Sequence, residues 1–136
     1  MSNVVYVGPA EQHPDVFEAL AAATIAPRTV MVLTAGAFAV AGAAAVSPVY
    51  IADTNVLGEL TDNYATGDTV QGFRPKSGEY YNLTLAASQV VAKNGPLKTD
   101  ASGNLVAQAG TGNILCYADE AVTTTGSTAK IRVYFV

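Results

Sequence analysis

Tryptophan is absent from this 136-residue chain, cysteine and histidine occur once each, and only 13% of the residues are charged. One cysteine, Cys116, cannot close an intramolecular disulfide, and no charged segment followed by an apolar stretch and a cleavage site opens the chain. It therefore reads as made and folded in a reducing cytoplasm. The seven cations (Arg28, Arg74, Lys76, Lys93, Lys98, Lys130, Arg132) never cluster beyond a near pair, and the net charge is -4. A phosphate backbone is held by clustered cations, so nucleic acid is not an expected partner. The uncharged stretch Val30 to Val46 only touches the lower length limit for a spanning helix and is mostly Ala and Gly, broken by Thr34, Gly36 and Gly42. No membrane span is expected.

The same scarcity bears on chemistry. His13 stands beside Pro14 near the N-terminus with no Ser or Cys nucleophile in a recognisable motif, which leaves no catalytic triad to assemble. Cys116, within Ile-Leu-Cys-Tyr-Ala, reads as a small buried hydrophobe. Asp53, Asp62, Asp68, Asp100 and Asp119 are dispersed, whereas zinc and calcium sites need clustered ligands. Asp119 and Glu120 are the only adjacent carboxylates, and neighbours in a strand point to opposite faces. Ala109-Gly110-Thr111-Gly112 lacks the lysine and following helix of a phosphate loop and reads as a turn, and the sequon Asn82-Leu83-Thr84 has no secretory context. No catalytic, cofactor-binding or metal-binding residue is assigned, no cofactor is expected, and the chain is not expected to be an enzyme.

What the chain does have is a hydrophobic fraction of 50% and recurrent turn signals. Its length suits one domain. Residues 1–12 read as an extended N-terminal arm, with Ser2 to Gln12 free to reach a partner, and residues 13–136 as a single β domain. Pro14 and Asp15 suit the start of a short helix over Val16 to Ala23, ended by Ala26-Pro27. Thr29 to Leu33 and Phe38 to Val40 form a hairpin pattern, and Pro48 to Ala52 is a buried strand followed by a polar Asp53 to Asn63 loop. Thr69 to Phe73 and Tyr80 to Leu85 look like a second hairpin across Arg74 to Gly78. Leu97-Lys98 and Leu105 to Gln108 pair across Asp100-Ala101-Ser102-Gly103, and Ile114 to Ala118 and Lys130 to Val136 are strands. In the last of these, Ile131, Val133 and Phe135 share one face, and the strand needs a neighbour to hold it, which makes it central or well paired. Turns every 8 to 12 residues or so predict an all-β fold, a small sandwich or barrel of short antiparallel strands with one N-terminal helix. So small and weakly charged a chain cannot hide all its apolar groups in its own core, which points to assembly.

From Ile25 to Val136 the order of these segments resembles the head decoration, or capsid cement, proteins of tailed bacteriophages. The resemblance lies in Ile25-Ala26-Pro27-Arg28-Thr29-Val30, in Pro48 to Asp53, and most specifically in Tyr64-Ala65-Thr66-Gly67-Asp68-Thr69-Val70, a "Y-x-x-G-D-x-V" step into a strand. It continues through Gly95-Pro96-Leu97, the "D-x-x-G-x-L" hairpin Asp100 to Leu105, and the closing Ile114 to Val122 and Lys130 to Val133. Cys116, Tyr117 and Arg28 depart from the pattern, Arg28 standing where such proteins carry glycine. The resemblance implies a structural virion protein, made in the host cytoplasm, that binds the capsid exterior and stabilises it. Its partners would be the major capsid protein and further copies of itself, as a homodimer or homotrimer. A tail tube or adaptor subunit is the alternative within the virion. A carbohydrate-binding β-sandwich, with Tyr80, Tyr81 and Tyr117 as stacking residues, is the alternative outside it.

Overall fold

The computed structural model describes residues 4–11, 13–46, 48–55 and 62–136, and all regular structure among them is β. The strands are β1 (Tyr6–Gly8), β2 (Asp15–Ala21), β3 (Val30–Thr34), β4 (Ala37–Val40), β5 (Tyr50–Ala52), β6 (Thr69–Arg74), β7 (Tyr80–Leu85), β8 (Val90–Val91), β9 (Pro96–Thr99), β10 (Leu105–Ala107), β11 (Cys116–Ala118), β12 (Val122–Thr123) and β13 (Ala129–Tyr134). Eleven of them form two closed units, and β8 and β12 pair with each other as a separate two-stranded sheet. In the first, β2, β4, β3, β5 and β6 pair in that order and close into a barrel. In the second, β7, β10, β9, β11 and β13 pair in a ring because β13 returns to β7, with β1 added on β7. Antiparallel pairing dominates, but β2 lies parallel to β4 and β10 parallel to β7.

The expected helix is a strand. Asp15 to Ala21 runs antiparallel to β6 over the register Asp15↔Arg74 to Leu20↔Thr69. Phe17, Ala19 and Ala21 alternate with Val16, Glu18 and Leu20, so the segment also has a strand period. An isolated eight-residue helix gains little from propensity alone, and pairing with β6 on one side and β4 on the other outweighs it.

Two apolar clusters fill the structure. Met31, Phe38, Tyr50, Ala52 and Val70, with Ala21, Ile25 and Tyr64, form the interior of the first barrel. Gly72 belongs to that interior by necessity: a Cβ there would lie 3.0 Å from both Met31 Cε and Phe38 Cζ. The alternate residues of the same strands, Val30, Ile51 and Phe73, face the other way and join Tyr81, Leu83, Leu97, Leu105, Ile131 and Val133 in the second cluster. Strands β3, β5 and β6 thus serve two cores at once, which is why β5 is buried at all three positions. This shared wall locks the barrels together.

Several turns behave as the sequence indicates. The β3–β4 hairpin turns on Ala35 and Gly36 with φ of 52° and 81°, the sign pattern of a type I′ turn. Asp100 Oδ1 accepts from the amides of Ser102 (2.8 Å) and Asn104 (3.1 Å), shaping the β9–β10 hairpin. Arg28 takes φ 68°, so after Pro27 it holds the left-handed backbone region that favours glycine. The second expected hairpin is not one. β6 pairs with β2 and β5, β7 with β1, β10 and β13, and residues 75–79 cross from one barrel to the other.

Candidate functional site

The residues singled out for chemistry do not converge. His13 is exposed, and its carbonyl accepts from Lys76 Nζ at 3.1 Å. Cys116 is buried in β11, and burial pushes its thiol far above the usual range, so it offers no thiolate. Burial also raises the Asp53 carboxyl, partly offset by the Thr54 amide at 2.7 Å. Asp68 and Asp100 shape turns: Asp68 Oδ2 accepts from the amide of Ala65 at 2.8 Å. Among the described residues no group of three His, Cys, Asp or Glu side chains is placed to hold a metal ion. No helix among them is long and apolar enough to cross a membrane.

Asp119 and Glu120 do act together, contrary to the strand argument. β11 ends at Ala118, so the two carboxylates are free of the alternation and meet on one residue. Asp119 Oδ2 pairs with Arg132 Nε at 2.7 Å, and Glu120 Oε2 accepts from the Arg132 amide at 2.8 Å. The bond to Asp119 holds the guanidinium above its ordinary pKa.

The "Y-x-x-G-D-x-V" step also has a clear physical role. The Tyr64 hydroxyl lies 2.7 Å from the carbonyl oxygen of Asp53 and 2.8 Å from that of Thr54, sharing one proton between them. Its amide donates to Ile25 and its carbonyl accepts in return. The Gly67 amide donates to Ala21, and Ala21 donates to Asp68. The motif therefore ties the end of β2 to the start of β6. Burial pushes the Tyr64 hydroxyl up to about 12. A buried Glu79, not singled out in the sequence, accepts from the Tyr81 hydroxyl (2.9 Å) and the Lys76 amide (2.8 Å) and anchors the crossover between barrels.

What the molecule presents outward is surface. Val16 and Leu20, at 50% and 54% exposed, project from one side of β2, whereas the exposed Phe17 points to the other side, where its ring lies 5.5 Å from that of Tyr50. β2 pairs with β6 from Asp15 to Leu20 and with β4 only at Leu20 and Ala21, and Val16 and Leu20 give it an apolar outer face on which a partner can dock through side chains. It sits on the acidic half of the chain: residues 1–74 hold seven acids against two arginines, net -5, and residues 75–136 four acids against five cations, net +1.

Of the described part of the expected arm, residues 4–11, the segment 4–8 packs on this chain and residues 9–11 are exposed. Val5 is in the core, Tyr6 lies opposite Tyr81, and Asn82 donates to Val5 O (2.7 Å) and Val4 O (2.8 Å). Residues 1–3 and 12 of that arm, and residues 56–61 of the expected Asp53 to Asn63 loop, lie outside the described residues.

Tyr81 is fully buried, whereas Tyr80 and Tyr117 are half-buried on the outer face of the second barrel, joined there by Tyr134. Tyr134 lies directly opposite both. Sequence spacing gives no sign of this alignment, because long-range pairing sets it.

No protein-family model and no curated protein matches the sequence. Among solved structures, the chain is similar in fold to one described as the head fiber gp8.5 N base in bacteriophage phi29. The TM-score is 0.55 at 12% sequence identity, and the match covers 91% of this chain and 95% of that one.

Proposed function

We propose that this protein is a structural virion component that binds the outer surface of an assembled phage head and stabilises it, as decoration or cement proteins do. The observation that carries this reading is the fold likeness to a head fiber base over nearly the full length of both chains. The "Y-x-x-G-D-x-V" and "D-x-x-G-x-L" motifs add to it, since each occupies the turn it would be expected to form. The partners are the major capsid protein and further copies of this chain, as a dimer or a trimer matching the symmetry of the binding position.

The β2 face is the docking surface in this reading. Burying Val16 and Leu20 removes apolar area from water at about 25 cal/mol per Å². A modest interface repeated over a shell shifts the equilibrium toward the assembled state by mass action, with no chemistry required. Cosedimentation of the purified protein with expanded and unexpanded shells of its phage tests the proposal. Binding to a shell that is abolished in Val16→Asp/Leu20→Asp is expected. Failure of the folded wild type to bind either shell refutes it, and rings or tubes formed by the protein alone would assign it to the tail.

A further inference from the structure

The outer face of the second barrel carries an aromatic row that neither its core nor the proposed docking face accounts for. Pro96, Tyr117, Tyr134 and Tyr80 stand directly opposite one another across β9, β11, β13 and β7. The ring centroids of Tyr117 and Tyr134 are 5.8 Å apart with an interplanar angle of 19°, and those of Tyr134 and Tyr80 are also 5.8 Å apart. The Tyr134 hydroxyl donates to Asn94 Oδ1 at 2.9 Å, which fixes the ring. On the same strands, two residues along, β13 presents Arg132 opposite Asn82 on β7. There an open depression of 420 Å³ is lined by Val4, Val7, Asn82, Glu120, Lys130 and Arg132.

We infer that the Tyr80–Tyr134–Tyr117 row and this depression form a binding site for a neutral saccharide chain. Tyrosine rings are apolar bodies with a polar tip, which complements a sugar ring that has a C–H face and hydroxyls at its edge. The depression supplies what an aromatic platform lacks, an amide, a carboxylate, an ammonium and a guanidinium close together, so that hydroxyls find both donors and acceptors. Charge selects the ligand class. The two cations Lys130 and Arg132 are matched in number by Asp119 and Glu120: Asp119 pairs with the Arg132 guanidinium, and Glu120 accepts from the Arg132 backbone amide. Such a site has no net field to hold a polyanion, which separates it from aromatic platforms that stack single-stranded nucleic acid inside a cationic groove. The site lies on a different barrel from the β2 face, so a protein attached through one surface leaves the other available.

Affinity electrophoresis through gels containing dextran, mannan, soluble starch or a mixed-linkage β-glucan tests the inference, with heparin and an oligo-dT strand as charged controls. Retardation by at least one neutral glycan is expected, with binding about tenfold weaker in Tyr117→Ala and in Tyr134→Ala. Tyr80→Phe keeps the ring and is expected to bind within a factor of about two. Circular dichroism confirms that each variant is folded. Because the chain has no tryptophan, a glycan-induced change in tyrosine fluorescence provides a second readout on the wild type alone. The inference is overturned if no neutral glycan retards or perturbs the wild type, if folded ring-deletion variants bind as well as it does, or if only heparin or oligo-dT binds.

Discussion

Replacing Gly103 with alanine tests the joint between the barrels. Gly103 ends the Asp100 turn with φ 76°, and its carbonyl accepts from the Val30 amide at 3.0 Å. An added Cβ would lie 2.6 Å from Val30 O and 2.7 Å from Thr29 Cγ2. Val30 O cannot retreat cheaply, because it also accepts from the Ala41 amide at 2.9 Å and sits on the wall shared by both cores. The left-handed backbone costs alanine about 1 kcal/mol, and forced overpacking adds about 1–3 kcal/mol. The expected loss is thus about 2–4 kcal/mol, a large share of the stability of a domain this size. Gly78 and Gly110 supply the controls: both have positive φ (86° and 76°), and a Cβ at either meets nothing within 4 Å. Urea unfolding followed by circular dichroism should place Gly78→Ala and Gly110→Ala about 1 kcal/mol below wild type and Gly103→Ala well below both. Equal losses at the three positions would show that the close approach to Val30 is not a constraint.

Other positions give independent checks. Tyr64→Phe removes the donor shared by the Asp53 and Thr54 carbonyls and should cost about 1–2 kcal/mol at pH 8. The folded Tyr64 keeps its proton up to about 12, whereas an unfolded tyrosine loses it near 10, so this contribution is complete below pH 10 and fades as the pH climbs toward 12. Denaturation between pH 8 and 11.5 should therefore fall less steeply in Tyr64→Phe, with a residual slope from Tyr81, which burial and Glu79 also hold protonated; parallel slopes would refute the assignment. Ala35→Asn should stabilise by about 0.5–1 kcal/mol in thermal melts, because asparagine tolerates the first type I′ position better than alanine does. Buried Thr99 bonds Gly42 O and the Ala45 amide through its hydroxyl, each at 2.8 Å, so Thr99→Val should cost about 1–3 kcal/mol, and a neutral result would show that water replaces it.

The parts of the fold legible in the sequence are those fixed by neighbours along the chain. The β3–β4 and β9–β10 hairpins carry their own turn residues, and the apolar face of β13 follows from simple alternation at Ile131 and Val133. Features set by distant partners were hidden. Asp15 to Ala21 fits either period locally, and only its pairing with β6 decides it. The turn residues from Arg74 to Gly78 look the same whether a chain reverses onto its neighbour or crosses to a second barrel. The tyrosine row required the register of β7, β11 and β13, and the meeting of Asp119 and Glu120 on Arg132 required knowing that β11 stops at Ala118. The apolar excess did signal an unsatisfied surface, but not that it would lie on β2.

Cryo-electron microscopy of phage shells incubated with the purified protein is the most direct test of the central claim. Ordered density is expected on the outer surface of the assembled shell, with Val16 and Leu20 of the first barrel against it and the tyrosine row facing away from the contact. Shells that remain bare at saturating protein, or density contacting the shell only through the second barrel, would contradict it.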